Sequence, residues 1–228
     1  MKKIYTLLIA IVLVIGSCKK ENNSTGTEEA IGGASGTLTY NSYTYHTVII
    51  GTQEWTVENL QTTTYNDGTA IAKMTDGTDW SILSTGAYCA YGNNENNITN
   101  YGYLYNWYAV NTGKLAPATD GWRVPTDADW TKLTDFVGSG NGTKLKATTG
   151  WNSSGNGNDI YGFSALPAGN RLSNGSFYFV GYYGYWWSSD AYDMTDAWYR
   201  YVGSNYTIIS RSYYDKRDGF SVRLVRDK

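Results

Sequence analysis

Gly121-Trp122-Arg123-Val124-Pro125-Thr126-Asp127-Ala128-Asp129-Trp130, answered about ninety residues later by Gly219-Phe220-Ser221-Val222-Arg223-Leu224-Val225-Arg226-Asp227, is the part of the chain on which the fold turns. In the first segment Thr126 can cap a helix while Asp129 reaches back to it, a carboxylate variant of the capping box. Trp130, Leu133 and Val137 then fall on one helical face, and Gly138 supplies the stop. In the second segment Arg223 and Arg226 alternate with Val222 and Val225, which predicts a strand over 220–225. Arg123 or Arg223 is expected to be largely buried and paired with a carboxylate such as Asp129 or Asp120, organising loops that have no helix or sheet of their own. Pro125 and the tryptophans Trp107, Trp122, Trp130 and Trp187 are read as structural in the same sense.

Working outward, two apolar runs over 38–40 and 43–50 flank Asn41-Ser42, a hairpin signal. A third strand is predicted over 53–60, and a loop-rich stretch follows to residue 100. Leu104, Trp107 and Tyr108 have helical spacing, predicting a short helix over 103–110. Further strands are predicted near 176–180, 185–189, 197–202 and 207–211. The expected class is α+β: two short helices with a twisted, mainly antiparallel sheet and long ordered loops, forming a single domain over 37–228.

Composition narrows function. The chain holds 22 Tyr, 9 Trp and 26 Gly but 3 Pro and 1 His, so aromatics rather than Leu and Ile must build the core. The net charge is −2 and the domain carries no Lys/Arg run, which argues against a nucleic-acid partner. The one histidine, His46, lies in a predicted strand with no Gly-x-Ser-x-Gly nearby, so a Ser-His-Asp centre has no support. A zinc site lacks His and Cys clusters. Asn93, Asn94 and Glu95 offer oxygen ligands for calcium, although an Asn-rich run also makes turns, and no cofactor is implied. Cys89 is read as a small buried hydrophobe beside Tyr88 and Tyr91. A two-carboxylate glycosidase stays open, because carboxylate separation is a property of the fold.

The first residues speak to location. Lys2 and Lys3, an apolar run from Leu7 to Ile15 and the small pair Gly16-Ser17 before Cys18 predict a signal peptide over 1–17, too short to span a bilayer. Small residues directly before a cysteine resemble a bacterial lipobox, which implies lipidation of Cys18, anchorage to the outer membrane and exposure at the cell surface. Residues 18–36 have almost no apolar content and read as a disordered tether.

Six segments, among them Trp55 to Leu60, Gly102 to Ala109, Gly121 to Trp130, Gly162 to Gly169, Gly184 to Ser189 and Phe220 to Asp227, occur in an order that resembles the Fibrobacter succinogenes major paralogous domain family. More distantly, they look like the superfold of formylglycine-generating enzymes and C-type lectins. The resemblance implies a C-type-lectin-like fold with a variable loop region and no assigned activity. It also implies a disulfide between the positions held here by Ala116 and Leu224, a bridge this chain lacks. The formylglycine oxidases use a cysteine pair, which one remaining cysteine cannot supply.

A non-catalytic binding module for glycan is therefore the leading functional expectation, since aromatic faces and amide or carboxylate groups suit sugars. Tyr182, Tyr183, Tyr185, Trp186, Asp190, Tyr192 and Trp198 are the candidate contacts, with core packing the alternative role for Trp186. A protein-binding adhesin or structural surface protein remains the second class, and a glycan-active hydrolase the third.

Overall fold

The computed structural model describes residues 34–138 and 140–228; the signal peptide, Cys18 and the tether up to residue 33 lie outside these residues. The first sheet has the order β1-β2-β3-β12, from strands Ala34–Tyr40, Tyr43–Ile50, Gln53–Thr56 and Val225–Asp227. Asn41 (φ 48°) and Ser42 (φ 65°) both take left-handed backbone, the two-residue hairpin turn whose twist matches the flanking strands. Strand β1 begins at Ala34, inside the stretch read as tether, because residues 34–40 pair along β2. The third strand stops at Thr56 rather than running to residue 60. Beyond it the Asn59 side chain turns inward, where its Oδ1 accepts from Trp186 and Arg223.

The C-terminal segment is a seam rather than the single strand predicted. Phe220 exchanges backbone hydrogen bonds with Tyr105, Val222 O accepts from Leu60, Leu224 O accepts from Thr56, and Val225 exchanges bonds with Arg123. Only 225–227 extend far enough along β3 to count as strand β12. The seam also reaches a small sheet of β4 (Ala72–Lys73), β5 (Ala87–Cys89) and β6 (Leu104–Tyr105), which is flanked by helices α1 (Gly77–Ser81) and α2 (Ile98–Tyr101).

The helix predicted over 103–110 is a strand followed by one helical turn. Leu104 and Tyr105 pair with Cys89 and Tyr88, and α3 (Trp107–Val110) starts only after Asn106, whose Oδ1 caps Ala109 N and also accepts from Ala87 N. Helix α4 (Asp127–Val137) matches its reading: the reciprocal Thr126–Asp129 capping box is formed, Trp130, Leu133 and Val137 are buried, and Gly138 ends it at φ 88°. Trp130 packs 4.8 Å from Trp55 and 6.3 Å from Trp186, ring centre to ring centre, at the middle of one core cluster.

Two more pairings complete the domain. Strands β7 (Ala168–Arg171) and β8 (Phe177–Val180) form a hairpin, and β9 (Tyr183–Ala191), β10 (Asp196–Gly203) and β11 (Ser210–Asp215) form a meander in the order β11-β10-β9. Strand β11 lies three residues later than predicted at its start. Alternation and register give this sheet two aromatic faces. Tyr183, Tyr185, Tyr199, Tyr201 and Tyr214 share one, while Trp186, Trp198, Arg200 and Tyr213 share the other, which packs on α4. Antiparallel sheets, four α-helices among the described residues and long ordered loops make a single α+β domain.

Candidate ligand-binding groove

A groove of about 320 Å³ opens on the tyrosine face of the meander. Its floor follows from one backbone pairing. Arg171 and Gly219 form an antiparallel bridge, so Asn170, Leu172, Asp218 and Phe220 project together to one side and all line the groove. Arg171 projects to the other side, where its guanidinium donates to the carbonyls of Met74, Thr75, Asp76 and Gly175 and lies over Trp80. The walls are Tyr185, Tyr199 and Tyr214 from the meander and Tyr178 and Phe179 from β8.

Consecutive residues on a regular strand point to opposite sides, yet Tyr178 and Phe179 line the same groove, with ring centres 5.8 Å apart. The cause is a kink in the hairpin: Phe179 has φ 69° and Gly169, opposite it, φ 66°. Left-handed backbone at a bulky aromatic is a strained choice. Glycine is required at 169, since a Cβ there would meet Tyr178 O at 2.5 Å and Val180 N at 2.6 Å.

The floor holds two polar oxygens without partners. Asp218 is fully buried; its Oδ1 accepts from Ser173 N at 2.7 Å, while Oδ2 has no hydrogen-bond partner. Asn170 Oδ1 is buried and equally unmatched. Burial pushes the Asp218 carboxyl up to about 8 despite the Ser173 bond, and the nearby Asp215 charge adds to the rise. Burial likewise pushes Tyr199 up to about 12 and Tyr185 higher still, so burial favours the uncharged form of all three groups.

A model of the Fibrobacter succinogenes major domain matches residues 48–226. The chain belongs to that family. No curated protein and no solved structure matches the chain. The matched range takes in every element of the Fibrobacter succinogenes major domain that lines the groove, and leaves out β1.

Within this domain the sequence-predicted contacts are dispersed. Tyr185 lines the groove and Tyr183 stacks on it at 5.8 Å. Tyr182 is exposed just beyond β8. Trp186 is a core residue, not a contact: it is buried and its Nε1 donates to Asn59, because it alternates onto the face covered by α4. Asp190 accepts from the backbone N of Asp127 at the start of α4, a structural task. Tyr192 and Trp198 lie on the far face, where Tyr192 stacks on Tyr213 at 3.7 Å and Arg211 covers Trp198 at 3.3 Å. Sequence reading does not name Asn170, Tyr178, Phe179, Tyr199, Tyr214 or Asp218. The alternation of Tyr199 and Tyr201 against Tyr183 and Tyr185 carried a signal for the tyrosine wall; nothing local marked the floor.

The residues read as structural make these contacts. Trp107 donates to Ser188 O, Trp130 to Trp187 O, Trp122 lies under Arg226, and Pro125 O accepts from Ser189. Arg123 grips Asp129 with two bonds, at 3.0 and 2.6 Å, and adds Asp227; Asp120 is not its partner. Arg223 is fully buried but pairs with no carboxylate. Its donors go to the carbonyls of Thr56, Phe163 and Ser164 and to Asn59 Oδ1, while Glu58 and Asp159 act on it only through their charge, without a hydrogen bond. The Asn93, Asn94 and Glu95 run does not converge on one point. Asn93 donates to Thr75 O, Asn94 caps a short 3₁₀ turn, and Glu95 pairs with Lys73 at 2.5 Å. Cys89 is buried against Arg171, and burial pushes its thiol up to about 11, so it packs as an inert side chain. Glu54 pairs with Arg226 and Lys228, and Glu58 with His46. A second, more polar hollow of about 480 Å³ lies between Glu58, Gln61, Tyr101, Thr149 and Ser164.

Proposed function

We propose that this domain is a non-catalytic glycan-binding module, displayed at the cell surface on a lipid at Cys18, with the tyrosine groove as its site. One observation carries the reading: aromatic rings wall a groove whose buried floor holds two hydrogen-bonding oxygens without partners. Rings present flat apolar faces to the C–H side of a sugar, and the floor presents Asn170 Oδ1 as an acceptor and the protonated Asp218 carboxyl as a donor to its polar side. The lining carries one carboxyl, Asp218, where glycoside hydrolysis by the usual route needs a pair. The wall residues Tyr178, Phe179 and Tyr214 are 43%, 48% and 46% exposed, so they are available to a ligand.

A glycan array followed by calorimetry tests this. Hits should bind the parent protein, lose most of their affinity in Tyr178→Ala and Tyr214→Ala, and keep it in Tyr192→Ala on the opposite face. An array without hits, or hits indifferent to the groove substitutions, would exclude the groove as a glycan site. A protein-binding role has its own supporting observation in the exposed cluster of Tyr192, Met194 and Tyr213 beside Arg211, residue types favoured in protein interfaces.

A further inference from the structure

We infer that the groove is built for the free ammonium group of an amino sugar, in preference to a neutral or N-acetylated unit. This deepens the glycan reading and rests on it. The inference stands on what the floor offers. Its two unmatched buried atoms, Asn170 Oδ1 and Asp218 Oδ2, are both oxygens, and six aromatic rings line the groove with them. An ammonium group brings three donors on one compact centre, together with a positive charge. Ring faces attract that charge, more strongly where water is excluded, and a carboxylate completes the match. A neutral hydroxyl can occupy the same place, but it brings no charge to draw the carboxyl into its ionised, more strongly accepting form, and an N-acetyl group brings one N–H and a bulky acyl arm.

The cations already present are committed elsewhere. Arg217, two residues from Asp215, binds that carboxylate through two nitrogens and also donates to Ser81 O. Lys216 Nζ is held by the carbonyls of Asp193 and Met194 and lies over Trp107. Arg171 is turned to the opposite side of the bridge. The groups that act electrostatically on Asp218 or face it are Asp215, Arg217, Tyr199, Tyr185 and Tyr214, and none of them is a free cation aimed into the groove. The groove thus lacks the positive partner that its floor can accommodate.

Proton balance makes the inference measurable. In the empty groove Asp218 carries its proton below about pH 8. Docking an ammonium ionises the carboxyl, and the displaced proton goes to solvent. Neutral sugars leave that proton in place.

The test is calorimetry on the full-length chain in detergent at about pH 5.5, where the Asp218 carboxyl and the amino-sugar amines both carry their protons, in buffers of different ionisation enthalpy. Its probes are oligosaccharides of glucosamine, N-acetylglucosamine and glucose with the same linkage. We expect the glucosamine oligomer to bind about tenfold or more tighter than the other two, a step typical of a charge-assisted hydrogen bond, and to release close to one proton per site. Asp218→Asn should abolish the release and most of the preference while keeping the weaker binding of neutral oligomers. Equal binding of all three without proton release would overturn the amine assignment and leave the groove a glycan site. A preference that survives in Asp218→Asn would show general attraction to an acidic protein and also overturn it. Failure of every oligomer, together with an empty array, would remove the glycan reading itself.

Discussion

Asp218 has a carboxyl whose folded and unfolded forms disagree about a proton. In the unfolded chain it titrates near about pH 4, whereas burial in the groove holds it at about 8. Between those values the folded protein keeps a proton that the unfolded chain has lost, so this residue makes stability fall as pH rises from about 4 to about 8 and then level off. Asp218→Asn keeps the acceptor for Ser173 N and removes the titration. We expect its urea midpoint to match the parent near about pH 4.5 and to exceed it near about pH 8.5; parallel curves for the two proteins would contradict a protonated Asp218. The acid limb has the opposite sign. Burial alone would raise Asp129, but Arg123 and Thr126 hold it below the usual carboxylate range, and Arg211 and Arg200 do the same for Asp127. Their stabilisation is present above about pH 4 and fades as pH falls through the lowered values. The Arg123–Asp129 pair was legible because its partners lie six residues apart around a helix start. The carbonyl nest around Arg223 was not, since it is assembled from Thr56, Phe163 and Ser164, which no local pattern brings together.

Among elements, α4 and the meander were readable because their causes are local: a capping box with a three-residue apolar stripe in one case, period-two aromatics in the other. The strands β4 to β7 run two to four residues each, too short for a period to show. Their boundaries are set by distant partners, as Asn106 illustrates by capping α3 while binding the backbone of β5. The β7–β8 hairpin depends on its kink. Gly169→Ala places a methyl on the β8 backbone and needs φ 66°, so it should destabilise by about 2 kcal/mol or more and, by displacing Tyr178 and Phe179, weaken ligand binding. Chemical denaturation together with binding to an array hit checks both limbs. A stable variant with intact affinity would mean that the kink does not shape the groove wall.

For the whole molecule the C-terminal seam is the organising feature, since residues 220–227 join the first sheet, the β5–β6 pair and the Arg123 segment. Closing so many non-local pairings places the fold among slow topologies. Ala116 and Leu224 are both buried in the same hydrophobic cluster, one before the α4 segment and one in the seam. If they stand where relatives carry a disulfide, the double substitution Ala116→Cys with Leu224→Cys should pair under oxidising conditions. Its oxidised form should then melt above its own reduced form, consistent with about 2–4 kcal/mol for a bridge. Leu224→Cys alone should lower the melting temperature by removing buried volume. Oxidised and reduced double variants melting together would show that the two positions are not partners.

The division of aromatic types between the groove and the core has an optical consequence. The aromatic lining of the groove is tyrosine and phenylalanine; Trp55, Trp80, Trp130 and Trp186 are fully buried outside it, and Trp187 is buried behind it, 4.3 Å from Phe220. Tyr183, Tyr185 and Phe220 are stacked in sequence, with centres 5.8 and 5.2 Å apart, so their electronic transitions couple in a fixed chiral array. Occupancy of the groove should therefore appear in the tyrosine band of the near-ultraviolet circular dichroism, while tryptophan emission reports on folding. The protein thus carries a tyrosine signal for the groove and a tryptophan signal weighted to the core, and neither requires a label.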